Sequence, residues 1–196
     1  MTDRDFDVYL ASASPRRREL LAQIGVRYEL VVSDIPEIPR VGETPENFVT
    51  RMAVEKAQAG KGIIGSTGDK PVLGADTAVV VDNEILGKPA DREQGLAMLQ
   101  RLSGRRHEVM SAVALLTDRL ETRLSISHVS FRPLTDAEMD AYWQTAEPQD
   151  KAGAYGIQGK AAIFIDGLEG SYSAVMGLPL FETAELLQAA GITLLR

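Results

Sequence analysis

The sequence predicts an α/β fold on a mixed sheet, organised as one domain over residues 1–196. Strand-like and helix-like segments alternate along the chain. Two long strand-like runs meet at Asp118-Arg119, which reads as a hairpin, so the sheet is not all parallel. With 196 residues, 44% hydrophobic and 25% charged, the chain can bury a sizeable core and has the balance of a globular protein.

The elements follow in order. Val8-Tyr9-Leu10-Ala11 is a short buried strand. Ser14-Pro15 opens a helix with Leu20, Leu21 and Ile24 on one face, and Gly25 stops it. Tyr28 to Val32 is a second strand, followed by a polar, proline-containing loop from Ser33 to Glu43. Thr44 and Pro45 start another helix, with Asn47 where a capping box prefers Glu and with Phe48, Met52 and Ala53 facing inward. Gly60 to Lys70 is glycine-rich and reads as a surface loop. Pro71 to Val81 is a strongly apolar strand, turning at Asp82-Asn83 into Glu84-Ile85-Leu86. Arg92 to Leu102 is helical. Strands from about Val109 to Leu116 and from Thr122 to Phe131 form the hairpin. Thr135 caps a helix running to about Thr145. Ala161 to Ile165 and Tyr172 to Val175 read as strands. Pro179 to Ala190 is a helix ended by Gly191, and Ile192 to Leu195 is a last strand.

Composition excludes several classes. No apolar run is long enough to span a bilayer, so no membrane partner is expected. The acidic opening Met1-Thr2-Asp3-Arg4-Asp5-Phe6-Asp7 lacks the apolar stretch of a signal peptide. Cysteine is absent, which excludes disulfides and thiolate metal sites and suits a reducing cytoplasm. The net charge of −7 repels polyanions at long range, so no nucleic acid partner is expected. A small phosphorylated ligand stays compatible if cations gather locally.

Four stretches break local structural rules, which is where function concentrates. In Ser12-Ala13-Ser14-Pro15-Arg16-Arg17-Arg18, three arginines fall in a first helical turn that is already positive. Bound phosphate would remove that conflict, since helix N-termini and arginine forks both bind phosphate oxygens. The alternative is solvated or carboxylate-paired arginines. Of the three, Arg18 is expected to point away. In Gly74-Ala75-Asp76-Thr77, a carboxylate interrupts a buried strand, which is costly unless it is paired or metal-bound. Asp76 would suit Mg²⁺ shared with substrate phosphates, or a salt bridge to an arginine. Gly74 leaves room for a ligand or for backbone. Gly87-Lys88-Pro89 fixes a lysine that could meet phosphate, while Lys56, taken alone, reads as a solvated helix lysine late in its helix. Asp150 to Gly159 sets glycines around a few polar side chains, which suits either close approach to a planar ligand or a linker. His107 and His128 lack ligand spacing and read as structural. Met52, Met98, Met110 and Met176 read as core filler. Tyr142 and Trp143 read as packing or an oligomer interface.

Together with Val175-Met176-Gly177-Leu178-Pro179, these stretches resemble the Maf family of nucleoside triphosphate pyrophosphatases, from Leu10 to about Leu187. Singly the motifs are weak, but in this order they are specific. The resemblance implies a strongly curved mixed sheet flanked by helices, two lobes around a catalytic cleft, and a homodimer. Gly-Ala-Asp-Thr together with Lys151-Ala152-Gly153-Ala154-Tyr155-Gly156-Ile157-Gln158-Gly159 resembles the branch acting on dTTP and UTP. By position, Asp76 matches the family's catalytic carboxylate. Arg16, Thr77 and Gln158 match positions linked to base choice. Ser12 belongs with the phosphate-binding motif, and Arg17, Lys56, Lys88 and Lys151 match cations lining the cleft. Glu37 matches an acidic residue that helps bind metal. The implied cofactor is a divalent cation, Mg²⁺ or Mn²⁺, on Asp76 and Glu37, with the roles of base and ligand left open between them. Modified pyrimidine triphosphates fit the same pattern. An alternative is a nucleotide-binding regulator of septum formation that needs no turnover.

Overall fold

The computed structural model describes residues 6–195, so residues 1–5 of the acidic opening lie outside the described part. Its centre is a seven-stranded sheet, mixed as the sequence predicts. The strands are β1 (Val8–Ala11), β2 (Tyr28–Leu30), β3 (Val72–Val81), β4 (Glu84–Leu86), β5 (Arg106–Leu116), β6 (Leu120–Phe131) and β7 (Ile165–Glu169). They run in the order β2-β1-β3-β5-β6-β7, with β4 on β3. The pairs β1–β2 and β1–β3 are parallel, and all the others are antiparallel. The helices are α1 (Pro15–Gln23), α2 (Pro45–Ile64), α3 (Arg92–Leu102), α4 (Asp136–Trp143), α5 (Tyr172–Met176) and α6 (Leu180–Ala189). None is long and apolar enough to cross a membrane.

Helix starts obey their caps. Thr44 accepts from Asn47 N, Asp91 from Gln94 N, and Thr135 forms a full capping box with Glu138. Gly25 and Gly191 take positive φ just past α1 and α6, as helix ends with no Cβ penalty do.

Period-two alternation splits β3 between cores. Val72, Ala78 and Val80 pack beneath α2. On the opposite face Leu73 and Ala75 join a core with α1 and α6, whereas Val79 and Val81 join a second core with α3 and α4. Thr77 falls between the two. Its register partner on β5 is Ser111, and that of Ser111 on β6 is Ser125. A polar row across three strands therefore divides one face of the sheet into two apolar lobes.

Several elements differ from the sequence reading. Gly60 to Ile64 continues α2 rather than forming a loop, because Gly60 is needed at a contact: a Cβ there would lie 3.0 Å from Ala11 Cβ and 3.1 Å from Val72 Cγ1. The run 161–164 is a 3₁₀ turn, the strand comes just after it as β7, and Tyr172–Met176 is helical. Ser171 caps that helix by accepting from Ala174 N, a signal that outweighs strand-like composition. Residues 192–195 form no strand, and β2 ends at Leu30. Trp143 packs over Gly95, where an added Cβ would sit 2.2 Å from the indole.

Candidate active site

A cavity of about 710 Å³ opens at Thr77, the β3 end of the polar row, and is lined by residues of both lobes. Its floor is β3. Gly74 explains the geometry there: a Cβ would fall 2.2 Å from Ala53 O and 2.7 Å from Ala57 N, so glycine lets the α2 backbone lie against the strand. The room at Gly74 is thus taken by backbone and not by a ligand. This close approach carries Lys56 to Asp76, with Nζ 2.7 Å from Oδ1. The same ammonium reaches Glu37 Oε1 at 2.5 Å. Lys56 is therefore not the solvated lysine that its neighbours in sequence suggest. It is 8% exposed, lies mid-helix, and shares the buried face of α2 with Val49, Met52, Ala53, Ala57 and Gly60. The partner that makes buried Asp76 tolerable is this lysine, with Arg17 acting at longer range rather than as its salt bridge.

Arg17 is the second buried cation, on the same face of α1 as Leu20 and Leu21. Its Nε donates to Gly177 O at 2.8 Å, Nη1 to Ser12 Oγ at 3.1 Å, and Nη2 to Thr77 Oγ1 at 3.4 Å. Ser14 precedes the helix but makes no side-chain cap, while Ser12 Oγ accepts from Ser14 N. Gly177 sits at φ +124°, a conformation that L side chains rarely adopt, and this presents its carbonyl to Arg17. Thr77 and Ser111 hydroxyls lie 2.8 Å apart, and Ser111 donates to Ala174 O. Ser111 was missed in the sequence reading. Its signal was a hydroxyl in an otherwise apolar strand, in register with Thr77.

Burial and charge act oppositely here. Desolvation pushes the Asp76 carboxyl above the usual carboxylate range, with Lys56 and Arg17 opposing it. Burial also works to raise Glu37, but the Lys56 hydrogen bond and the charges of Lys56, Lys88 and Arg17 hold it below its ordinary value. Desolvation lowers Arg17, against the pull of Asp76 and Glu37.

The opposite wall is the glycine-bearing stretch. Lys151 Nζ donates to Glu147 O and to Asp150 Oδ1, both at 2.7 Å. Gly153 has φ +66° and packs against Val79, where a Cβ would lie 2.8 Å from Cγ1. Gln158 lines the cavity, and no group among the described residues hydrogen-bonds its side chain. Arg16 and Lys88 also line it, and neither has an ion-pair or hydrogen-bond partner among the described residues.

The structure thus brings all the sequence-predicted site residues to one cavity: Ser12, Arg16, Arg17, Glu37 and Lys56 on one side, with Asp76, Thr77, Lys88, Lys151 and Gln158. Arg18 stays out of it, as expected. Met176, half-buried, packs against the core shared with α1 and α6, as expected, and also lines the cavity. His107 is buried and pairs with the Tyr155 hydroxyl at 2.8 Å, and His128 lies 3.4 Å from Glu108. Both are structural.

Asp76 and Glu37 offer hard oxygen donors that touch one shared ammonium. Among the described residues there is no group of three His, Cys, Asp or Glu that could hold a metal ion. A pair of carboxylates on a cavity this large still fits a cation that completes its shell with phosphate oxygens and water, as Mg²⁺ does.

The family model described as Maf-like protein matches residues 7–190. The chain is 58% identical to the dTTP/UTP pyrophosphatase of Alkalilimnicola ehrlichii, over 92% of this chain and 91% of that one. It is 52% identical to the dTTP/UTP pyrophosphatase of Saccharophagus degradans, over 95% and 90%. A solved nucleoside-triphosphatase / dITP/XTP pyrophosphatase from Mycobacterium abscessus aligns over 94% of this chain and 95% of that one, with TM-score 0.44 and 18% identity. That level bears neither on substrate nor on mechanism. The family match spans both lobes and every motif around the cavity, and on it the chain belongs to the Maf family.

Proposed function

We propose that this chain hydrolyses dTTP and UTP at the α–β phosphate bond, releasing the nucleoside monophosphate and pyrophosphate. The observation that carries the reading is buried Asp76 opening onto a cavity that also holds two cations, Arg16 and Lys88, with no ion pair or hydrogen bond among the described residues. The names of the relatives support the pyrimidine substrates.

Pyrophosphate release needs in-line attack of water on the α-phosphorus, with negative charge growing on the non-bridging and leaving oxygens. Arg17 meets that charge already oriented, because Gly177 O, Ser12 and Thr77 hold its guanidinium. Lys88 and Lys151 face the leaving pyrophosphate from the rim. Asp76 takes the proton of the attacking water: it is fixed on β3 and buried, where a carboxylate holds a proton more readily. Glu37 stands on a loop with its side chain 43% exposed and is the better ligand for a cation. A Mg²⁺ or Mn²⁺ held by Glu37 and Asp76 would offset phosphate charge and acidify water.

Base choice follows hydrogen-bond polarity. Uracil and thymine present an acceptor at O4 and a donor at N3, and a glutamine amide complements both. Arg16 aimed at O4 would meet the cytosine amino group unfavourably. Thr77 acts through Arg17 and Ser111, to which its hydroxyl is committed.

The test is a screen of common and modified nucleoside triphosphates with Mg²⁺ or Mn²⁺. The expected products from dTTP and UTP are the monophosphate and pyrophosphate. Tight binding of dTTP with no product would replace this reading by a binding-only regulator. The reading also takes the protein to be a cytoplasmic homodimer. Light scattering that shows a monomer at assay concentration would remove the second part.

A further inference from the structure

The Gly156–Gly159 turn places Gln158 on the cavity. Lys151 lays its side-chain carbons against Gly156, where a Cβ would fall 2.9 Å from Cδ, but among the described residues no cation hydrogen-bonds the turn. Its hydrogen bonds converge on a carboxylate and a phenol. The Tyr142 hydroxyl donates to Glu147 Oε1 at 2.8 Å and accepts from Gly156 N at 3.2 Å. Glu147 Oε2 accepts from Lys160 N at 2.9 Å. One bond therefore fixes the first residue of the turn, and another fixes the residue just past its end.

Packing says the same. A Cβ on Gly159 would fall 2.1 Å from Glu147 Oε1 and 2.4 Å from Oε2, so the carboxylate lies against the turn's backbone. Tyr142 is 3% exposed on α4 and packs edge-on to Phe164, with ring centroids 5.2 Å apart. The bracket is thus rooted in a capped helix and an aromatic core. Glu147 also lines the cavity, and its two carboxylate oxygens are committed to the Tyr142 hydroxyl and to Lys160 N.

We infer that Glu147 and Tyr142 are positioning residues for base recognition, holding the Gly156–Gly159 turn so that Gln158 meets the pyrimidine edge. This rests on the proposed role of Gln158. It separates two tasks: the bracket sets the base reader, while Arg17, Lys56 and Lys88 handle the phosphate tail from other elements.

The test compares the full-length wild type with Tyr142→Phe, which deletes one hydroxyl, and Glu147→Gln, which keeps the shape. KM and kcat are measured for UTP and CTP, together with inhibition by inorganic pyrophosphate. Losing a buried hydrogen bond of this kind should raise KM for UTP and shrink the UTP-over-CTP preference on the order of tenfold. Pyrophosphate inhibition and kcat should change little. Should Tyr142→Phe unfold, half-buried Glu147→Gln decides alone. Folded variants with unchanged KM and preference overturn the inference. So does an equal weakening for UTP, CTP and pyrophosphate, which marks a general structural role. A wild type that turns over no pyrimidine triphosphate overturns the functional reading first, and the control shows this before any variant is compared.

Discussion

The cavity wall made by β3, α1 and α2 is tied by buried charged groups, whereas the wall from Lys151 to Gly159 exposes the tip of its turn and is tied by hydrogen bonds rooted in buried Tyr142. On the first wall, Lys56, Asp76 and Arg17 are each less than 10% exposed, and the α2 backbone rests on Gly74. On the second, Gln158 and Gly159 are exposed, and the Gly156–Gly159 turn depends on Tyr142 and Glu147. The difference matches the two demands of the proposed reaction. Charge that develops during phosphoryl transfer is best met by groups that do not reorganise. A base edge needs a reader that a ligand can reach.

Breaking the first wall should cost the most. Asp76→Asn keeps the shape and removes the proton acceptor, and turnover of UTP should fall by about 10²–10⁴-fold while circular dichroism still shows a folded protein. Near-normal activity would reject the assignment.

Acid probes the lobe behind the second wall. His107 is buried beside Tyr155 and Phe131, and desolvation pushes it down to about 4. The unfolded chain takes up that proton near pH 6.5, whereas the folded protein resists until about pH 4. Its contribution is therefore complete above about pH 6.5 and is lost as pH falls towards 4, by about 3 kcal/mol. Urea unfolding of wild type and His107→Gln at pH 7 and 4.5 should show the wild type losing more. Parallel losses would exclude His107 as the cause.

Gly74→Ala forces a methyl onto Ala53 O, so stability should drop by about 1–3 kcal/mol in a thermal or urea melt. It should also pull Lys56 away from Asp76 and lower activity. A neutral substitution would show that α2 can slide freely.

The smallest effect is expected on the second wall. Gln158→Ala should reduce the UTP-over-CTP preference by roughly tenfold to a hundredfold while sparing pyrophosphate inhibition. An unchanged ratio excludes Gln158 as the reader.

Long elements with clear period were legible in the sequence. Arg92–Leu102 and the β5–β6 hairpin come from pattern, caps and turn chemistry, and the mixed sheet follows. Short apolar runs were not legible, since Ala161 to Ile165 and Tyr172 to Val175 carry too few residues to show a period. At the site, the family resemblance named residues that all share the cavity, although it did not name every residue lining it. Lys56 and Arg17 could also have been found physically. Each sits at i, i+3, i+4 spacing on the apolar face of its helix, where a cation needs a buried partner. The bracket of Tyr142 and Glu147 left no sequence signal, because its bonds go to backbone amides that pattern cannot place.

The proposed reaction turns on attack of water at the α-phosphorus. Hydrolysis of UTP in water enriched in heavy oxygen tests it most directly, with both products analysed by mass spectrometry. Attack at the α-phosphorus puts the label in the monophosphate and none in pyrophosphate. Label in pyrophosphate, or release of inorganic phosphate in its place, would contradict it.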